Sequence, residues 1–515
     1  MHLLRIEIVL LILSLCFVIL SITLNLKDKL SVSLIFLSIA TVSLGCFMAM
    51  QDPFLNTWDE LYHAMVAKNL INNPFIPLLY KNTVLNYDYT IWTDNYIWLH
   101  KQPLFLWQIA LSLKIFGVNE FALRIPSILM HAIIPFFIYR IGLISLSKET
   151  GFYGALFFSL AYYPLELVAG KYTGDHNDMA FLFYITASFW TWFEYNESKN
   201  GIWLVLIGLF AGCAVLVKWL MGCLVFICWS FTFFIERKSF FKISRYFPFL
   251  KSFIIALCVF IPWQIYILIR FPLESIFEFS AFSMHFSSVV EGHGGDDWFH
   301  FNALNVLYGQ GLIIPLLVSM LFLGKKLVSL KYRVFTIGAI VFVYLFFSIA
   351  ATKMVSFCLI VSPFIFLGIA SFFVYLKSFM NQYVTSVMLR RVLFILLCAL
   401  FSYKLLNIEQ IYNNHNIENP MENNYRTNKI IERTVINNLP QNLSDKNYVI
   451  FNTKYAQGGN ISFMFYSDYI AYRFIPSISQ CDEVIAKGYK IAILDFGEIP
   501  EYITNNPEIV KIPVE

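Results

Sequence analysis

Two adjacent carboxylates, Asp59 and Glu60, lie just after a long apolar segment, in an acidic and aromatic stretch at residues 56–64. A carboxylate within hydrogen-bond reach of a hydroxyl can take up its proton while the oxygen attacks an electrophile. Asp59 is therefore a candidate general base. Glu60 has a second interpretation, because Thr57 and Glu60 have the spacing of a capping box at a helix N-terminus.

Other charged residues lie at the ends of apolar segments, where a charge is costly without a partner or a function. Asp178 begins one such segment and could contribute a second carboxylate, or it could simply cap a helix. Lys353 lies alone between two apolar segments and could be catalytic or a snorkelling end-anchor. Both interpretations stay open for each residue.

The elements that must position these residues are mostly membrane-spanning helices. The chain has 515 residues, of which 58% are hydrophobic and 14% charged, a composition outside the range of soluble domains. The net charge of +4 is spread over short loops and gives no indication of a nucleic-acid partner. Because about 20 apolar residues cross a bilayer, we expect about twelve spans. They are predicted near residues 7–24, 31–50, 122–143, 152–170, 178–195, 201–217, 219–235, 248–270, 301–323, 334–351, 354–376 and 391–408.

Loops rich in Lys and Arg alternate along the chain with loops that contain few of these residues. Because cytoplasmic loops are enriched in Lys and Arg, this alternation indicates the orientation of the protein in the membrane. All the acidic clusters fall on the opposite side: Asp59 with Glu60, Asp175 with Asp178, and residues 291–297. We therefore expect a multi-pass protein of the cell inner membrane with these clusters on its periplasmic, extracytoplasmic face. The same order places the N-terminus outside, with the first helix retained.

The predicted organisation has four parts. Residues 1–50 form two transmembrane helices, and 51–121 form a long external loop with juxtamembrane helices, the second of them at 103–116. Residues 122–408 form the transmembrane core. Residues 409–515 alternate strand-like and helical runs, which is typical of a small α/β domain, and we expect it outside the membrane.

Six short segments of the chain resemble, in the same order, the GT-C type glycosyltransferases that use lipid-linked sugars. The relevant members are the aminoarabinose transferase of lipid A and the dolichyl-phosphate-mannose protein mannosyltransferase superfamily. The resemblance covers roughly residues 51–365. It is carried by Trp58–Ala64, Leu99–Leu104, Phe116–Ser127, Asp178–Phe181, Val217–Lys218 and Ser348–Phe357.

The resemblance implies a GT-C fold and a sugar donor carried on a polyprenyl phosphate. It implies that Asp59 is the catalytic base and that Asp178 matches the family's second external carboxylate. The leaving phosphate needs no general acid, but it needs positive charge near its oxygens. The residues expected to contact substrate are Glu60, Tyr62, Lys101, Arg124 and Lys353.

The chain departs from the aminoarabinose transferases at two positions. Where they carry Glu-Lys-Pro-Pro, this chain has His100 at the start of residues 100–103, and Tyr62 stands where they have an Arg. His100 and His293 could together bind a divalent metal such as Mg, Mn or Zn, although two His without defined spacing are a weak metal signal. These changes leave the metal and the sugar open.

The predicted function is therefore an inverting membrane glycosyltransferase, with a lipid, a glycan or a protein as the acceptor. One alternative is an O-antigen polymerase or ligase, which would have its long loop late in the chain and rich in Arg. A second alternative is a transporter or lipid flippase, which would show charges in mid-span or internal repeats. The loop here is early and acidic, and the spans are almost free of charge.

Overall fold

The computed structural model describes residues 5–171, 176–235, 241–309, 313–415, 420–443, 447–454 and 458–514. Asp175 lies outside these described residues. The helices are α1 Arg5–Leu26, α2 Leu30–Ala49, α3 Asp59–Leu70, α4 Pro103–Phe116, α5 Glu120–Ser145, α6 Lys148–Ser159, α7 Tyr162–Val168, α8 Asp178–Ser198, α9 Gly201–Lys218, α10 Leu224–Thr232, α11 Phe247–Arg270, α12 Pro272–Ser287, α13 Phe299–Asn302, α14 Leu304–Tyr308, α15 Ile313–Lys326, α16 Leu330–Ile349, α17 Ser362–Tyr383, α18 Val387–Leu406, α19 Ile408–His415, α20 Pro420–Asn442, α21 Gly459–Tyr466, α22 Ile478–Ala486 and α23 Glu501–Thr504.

The predicted fold class, a polytopic helical membrane protein, is confirmed, although the number of spans differs. Among the described residues, eight helical runs are long and apolar enough to cross a membrane, against about twelve predicted. One of the eight, Gly201–Thr232, joins two of the predicted spans. The predicted spans near 152–170 and 301–323 are broken into shorter helices, and the span near 178–195 is α8, which is not among the eight.

The two breaks have local causes. Pro164 stands in the first turn of α7, where its missing N–H cannot continue a helix from α6. Gly309 has a φ of +103° and ends α14, a backbone conformation that glycine adopts without strain.

Small residues let the helices of the bundle approach closely, as is usual in membranes. A Cβ on Gly142 of α5 would lie 2.4 Å from the Cα of Gly151 in α6. Gly208 and Gly212, one turn apart on α9, would meet the Ser252 carbonyl and the Val259 side chain of α11 at 2.3 and 2.5 Å. Larger side chains at these positions would push the helices apart.

Two helices in the loop between α2 and α5 position the candidate site. The predicted helix at 103–116 is present as α4, with Pro103 in its first turn and Gly117 at its end with a φ of +88°. The predicted capping box at Thr57 is wrong, because α3 begins at Asp59 and Trp58, with a φ of +62°, is its N-cap residue. The Glu60 carboxylate instead forms an ion pair with Arg124 and accepts a hydrogen bond from the backbone N–H of Asn56.

The predicted α/β region near the C-terminus is present. Four parallel strands, β1 Tyr448–Phe451, β2 Ile470–Ala471, β3 Lys490–Asp495 and β4 Ile509–Pro513, form a sheet in the order β2-β1-β3-β4. Helices α21, α22 and α23 connect successive strands. Strands β1 and β3 lie in the apolar runs 448–451 and 491–494 of the sequence.

The C-terminal region packs directly on α3. The ammonium of Lys68, in the last turn of α3, donates hydrogen bonds of 2.8, 2.9 and 2.7 Å to the carbonyls of Met464, Phe465 and Ser467. A cation at the end of α21 stabilises its unpaired carbonyls and the negative end of its dipole. This contact holds α3, which presents Asp59 at its other end.

Candidate active site

A cavity of about 510 Å³ opens where the start of α3 meets the ends of several helices. One part of its wall is polar and contains both predicted catalytic residues, Asp59 and Asp178. The rest is apolar, formed largely by phenylalanines. Its polar lining residues include Asp59, His100, Lys101, Asp178, Lys218, Glu291 and His293.

Asp59 is the first residue of α3 and is 5% exposed. The positive end of the helix dipole stabilises a carboxylate at this position. Its Oδ2 lies 3.1 Å from the ammonium of Lys101, which precedes α4 by two residues. Burial on its own lowers the pKa of Lys101, but Asp59, assisted by Glu291 and Asp178, outweighs burial and raises the pKa above its usual value. Lys101 is therefore a cation at neutral pH.

A second acid–lysine pair lines the same cavity. Asp178 begins α8, Lys218 ends α9, and the Lys218 ammonium donates a 2.5 Å hydrogen bond to Asp178 Oδ1. The ammonium also lies 5.1 Å from the centre of the Phe357 ring, within cation–π range. Lys218 was not predicted as a site residue, although a lone lysine at the end of an apolar helix was a usable signal.

The cavity therefore combines two carboxylates with two ammonium groups at one end of an apolar lining. A carboxylate can accept a proton from a hydroxyl. Fixed ammonium groups in a partly desolvated site stabilise a phosphate as negative charge develops on it. Asp59, Lys101 and Asp178, which are far apart in the sequence, are brought together here.

The predicted metal pair is only partly assembled. His100 and His293 both line the cavity. However, His100 stacks on Trp92 with ring centroids 4.4 Å apart, and its Nδ1 lies 3.5 Å from Glu278 Oε2. Among the residues that the structure describes, no group of three or more His, Cys, Asp or Glu side chains could hold a metal ion. His100 is held by Trp92 and Glu278 rather than beside His293, and we derive no step through a metal.

Glu60 and Arg124 lie outside the cavity, which corrects the predicted substrate contacts. Both are fully buried, with Arg124 Nε 2.8 Å from Glu60 Oε1 and Nη2 3.1 Å from Oε2. Arg124 also donates to the carbonyls of Ala49, Asp52 and Phe54 at 2.7 to 2.9 Å. With all its donors directed at protein groups, Arg124 orders the chain that leads into α3.

Lys353 also differs from its predicted role. Its ammonium donates hydrogen bonds of 2.8 and 2.9 Å to the carbonyls of Ser348 and Ala350, at the end of α16. A lysine in this position caps the helix C-terminus. The neighbouring Thr352 and Met354 line the cavity, but Lys353 does not.

Tyr62 lies one turn after Asp59 and faces away from the active-site cavity. Its ring contacts Trp92 with centroids 4.7 Å apart, and it lines a neighbouring cavity. Burial raises the pKa of Tyr62 well above its usual value, with Asp94 adding to the effect. Tyr62 is therefore a neutral hydroxyl rather than a replacement for the family's Arg.

Gly170 offers a direct test of the Glu60–Arg124 pair. It has a φ of +74°, and a Cβ there would lie 2.1 Å from Glu60 Oε1. We expect Gly170→Ala to lower the free energy of unfolding by about 2–4 kcal/mol through backbone strain and overpacking, measured by SDS-induced unfolding in mixed micelles. Gly488→Ala is the matched control, because Gly488 has a φ of +81° with nothing within 4 Å of its Cβ position. Equal losses in both variants would contradict the packing argument.

Two buried histidines behind the site predict a pH dependence of stability. The Nδ1 atoms of His63 and His176 lie 2.9 Å apart, so one ring donates and the other accepts. Burial lowers the pKa of His63 well below its usual value, with His176 adding to the effect, and burial followed by Arg124 lowers the pKa of His176 to about 3. Below the unfolded-state pKa of about 6.5 the unfolded chain binds more protons than the folded chain, so stability falls as the pH falls.

We therefore expect the free energy of unfolding to decrease below about pH 6.5, with a limiting slope of roughly 1.4 kcal/mol per pH unit for each histidine. SDS unfolding between pH 7.5 and 5 measures the slope. The double variant His63→Leu with His176→Leu should flatten it, because replacing both partners by apolar groups removes the titration without leaving one nitrogen unpaired. An unchanged slope in that variant would show that other groups titrate.

Comparison with known proteins gives one family match and several similar folds. Residues 100–266 match the family model of dolichyl-phosphate-mannose-protein mannosyltransferase. This segment contains Lys101, Asp178 and Lys218, and it begins after Asp59. An uncharacterised protein of Aquifex aeolicus (strain VF5) is 29% identical over 164 residues, which are 31% of this chain and 29% of that protein. The match thus spans less than a third of the length of that relative.

Two solved structures are similar over most of the chain. ArnT from Cupriavidus metallidurans, bound to undecaprenyl phosphate, aligns with a TM-score of 0.58 and 13% identity, covering 93% of this chain and 89% of ArnT. The archaeal oligosaccharyltransferase AglB from Archaeoglobus fulgidus, in complex with an inhibitory peptide and a dolichol-phosphate, aligns with a TM-score of 0.53 and 12% identity. That alignment covers 90% of this chain and 69% of AglB.

The predicted fold is thereby confirmed, and the predicted resemblance to the mannosyltransferase superfamily is found over residues 100–266. At these identities the likeness to ArnT and AglB concerns the fold. The similarity to the mannosyltransferase family is limited to residues 100–266.

Proposed function

We propose that this chain is an inverting glycosyltransferase of the inner membrane that moves a sugar from a polyprenyl phosphate to an acceptor hydroxyl on the periplasmic face. The observation that carries the proposal is the cavity in which Asp59 and Lys101 form a pair 3.1 Å apart at the edge of an apolar lining. Residues 51–121 supply the base in this account, residues 122–408 hold the lipid, and the region from 409 onward covers the loop.

In the proposed reaction, the acceptor oxygen attacks the anomeric carbon of the donor while Asp59 takes the hydroxyl proton. The bond between the anomeric carbon and the phosphate oxygen breaks, and the electron pair leaves with the polyprenyl phosphate. Lys101 and Lys218 stabilise the charge that develops on this phosphate. A single displacement without a covalent enzyme intermediate inverts the anomeric configuration.

The apolar part of the cavity fits the isoprenoid chain of the donor. Phe181, Phe286 and Phe346 are among its lining residues, together with Met221 and Met354. Cavities that bury most of a ligand are usually apolar with few polar groups that fix its orientation. ArnT was solved with undecaprenyl phosphate and AglB with a dolichol-phosphate, which supports a carrier of this class here.

The acceptor and any metal are further parts of the proposal. A lipid, a glycan or a protein hydroxyl could each reach Asp59 by the chemistry described. His100 and His293 remain the predicted metal pair, although no described cluster assembles around them. The reaction as proposed is complete without a metal, because lysines supply the charge at the phosphate.

The release of the carrier tests the proposed reaction. Membranes that contain the chain are incubated with a lipid-linked sugar extract, and free undecaprenyl phosphate is measured by chromatography. We expect release to exceed that from membranes without the chain and to require an acceptor fraction. Equal release from both membranes would contradict the proposal.

Lys218 gives a second test, because its charge should act on the leaving phosphate. Lys218→Gln is expected to lower the rate of carrier release by about 10²–10³-fold, the usual cost of losing one such donor, and to weaken binding of undecaprenyl phosphate. Lys218→Arg keeps the charge beside Asp178 and should recover part of the rate. Lys81→Gln, at an exposed loop position, is the control. A normal rate in Lys218→Gln would remove this lysine from the mechanism.

A further inference from the structure

A second and larger cavity lies beside the active-site cavity. Its volume is about 690 Å³, and it opens between the loop that follows α3 and the C-terminal α/β region. Trp58 and Thr93 line both cavities. The two cavities therefore adjoin at Trp58, the residue that precedes Asp59.

The lining of the second cavity is aromatic and polar. Seven of its eighteen lining residues are aromatic, so the cavity offers ring faces as well as polar groups to a ligand. Tyr80 and Tyr472 stack across the interface with centroids 5.5 Å apart at 18°, and Asn460 donates a 3.0 Å hydrogen bond to the Tyr80 hydroxyl. The rings from the loop and from the C-terminal region are thus fixed by packing and hydrogen bonds before any ligand arrives.

Charged and amide groups surround these rings. Asp88 and Asp94 contribute carboxylates from the loop, and Lys454 and Arg473 contribute cations from the C-terminal region. Carboxylates accept and cations donate hydrogen bonds, so both signs together suit a ligand with many hydroxyl groups. Aromatic faces contact the C–H faces of pyranose rings, which gives area at low entropy cost. An isoprenoid chain would instead leave these charges unpaired and desolvated.

We propose that the second cavity binds the saccharide part of a glycan acceptor and directs one of its hydroxyls past Trp58 to Asp59. This inference rests on the proposed function, and it makes the acceptor a glycan rather than a protein. The strained backbone of Trp58, with a φ of +62° and a ψ of −133°, fits a residue held in place at the junction. The C-terminal region thereby acquires a function, as one wall of the acceptor site.

The test uses the full chain in nanodiscs and saccharides released by mild acid from the cell-envelope glycans of the source cells. Binding is measured by saturation-transfer difference NMR. We expect Tyr87→Ala and Arg473→Ala each to weaken saccharide binding at least tenfold. Tyr502→Ala is the matched control, because Tyr502 of α23 is 40% exposed, Tyr87 is 41% exposed, and only Tyr87 lines the cavity.

Two further measurements separate this inference from the proposed function. Undecaprenyl phosphate should bind the Tyr87 and Arg473 variants as it binds the wild-type chain, and Asp59→Asn should still bind the saccharides. Saccharide binding that is equal in wild type and the cavity variants would overturn the inference and leave the transfer reaction standing. Binding of a Ser/Thr-rich peptide, lost in the cavity variants, in place of saccharide binding would also overturn it. Normal transfer by Asp59→Asn would instead overturn the assignment of the base.

Discussion

Replacing Asp59 with Asn is expected to lower the rate of sugar transfer by about 10²–10⁴-fold, the usual contribution of a general base. Asn keeps the shape of the side chain but cannot take the acceptor proton. Its amide also leaves the Lys101 ammonium, 3.1 Å away in the wild type, without its nearest counter-charge. We expect binding of undecaprenyl phosphate to persist, because in the proposed reaction its phosphate pairs with Lys101 and Lys218.

The rate is measured as acceptor-dependent release of undecaprenyl phosphate by purified protein in nanodiscs. Asp482→Asn, a change at an exposed position of α22, is the matched control and should leave the rate unchanged. Size-exclusion chromatography and the SDS unfolding midpoint confirm that Asp59→Asn is folded. A folded Asp59→Asn protein with the wild-type rate would contradict the assignment of Asp59 as the base.

The second large effect concerns stability. Arg124→Met is expected to lower the free energy of unfolding by about 3–5 kcal/mol, because it leaves the buried Glu60 carboxylate without its counter-charge. It also removes the hydrogen bonds of 2.7 to 2.9 Å to the carbonyls of Ala49, Asp52 and Phe54. SDS-induced unfolding in mixed micelles measures the loss.

Two comparisons make this result specific. Glu60→Gln combined with Arg124→Met should be more stable than Arg124→Met alone, because no buried charge is then left unpaired. Lys148→Met removes a solvent-exposed ion pair with Asp28 and should cause no measurable loss. If Arg124→Met were as stable as Lys148→Met, the structural role of Arg124 would be contradicted. The predicted contact of Arg124 with substrate would then have to be tested instead.

Local patterns predicted the elements better than their contacts. Pro103 and Gly117 mark the two ends of α4 in the sequence, and the helix follows them. The strands β1 and β3 were visible as short apolar runs. Thr57 and Glu60 have the spacing of a capping box, but the Glu60 carboxylate pairs with Arg124, which lies 64 residues away in the sequence.

The candidate site was predicted in part. Asp59, Lys101 and Asp178 were identified from the sequence, and the fold brings them to one cavity. Lys218 was overlooked as a site residue because its partner Asp178 is 40 residues away, although both were noted in the resemblance. Lys353 looked equally isolated, yet its ammonium donates to the carbonyls at the end of the preceding helix, α16. A sequence does not show whether a lone lysine faces a ligand or its own backbone.

Mass spectra of envelope glycans and glycolipids give the most direct test of the proposed transfer. They are recorded from cells that lack the chain and from the same cells complemented with the wild type or with Asp59→Asn. We predict that one species loses the mass of a single sugar residue in the deletion cells. Wild type should restore that mass and Asp59→Asn should not. Unchanged spectra in the deletion cells, or full restoration by Asp59→Asn, would contradict a transferase with Asp59 as its base.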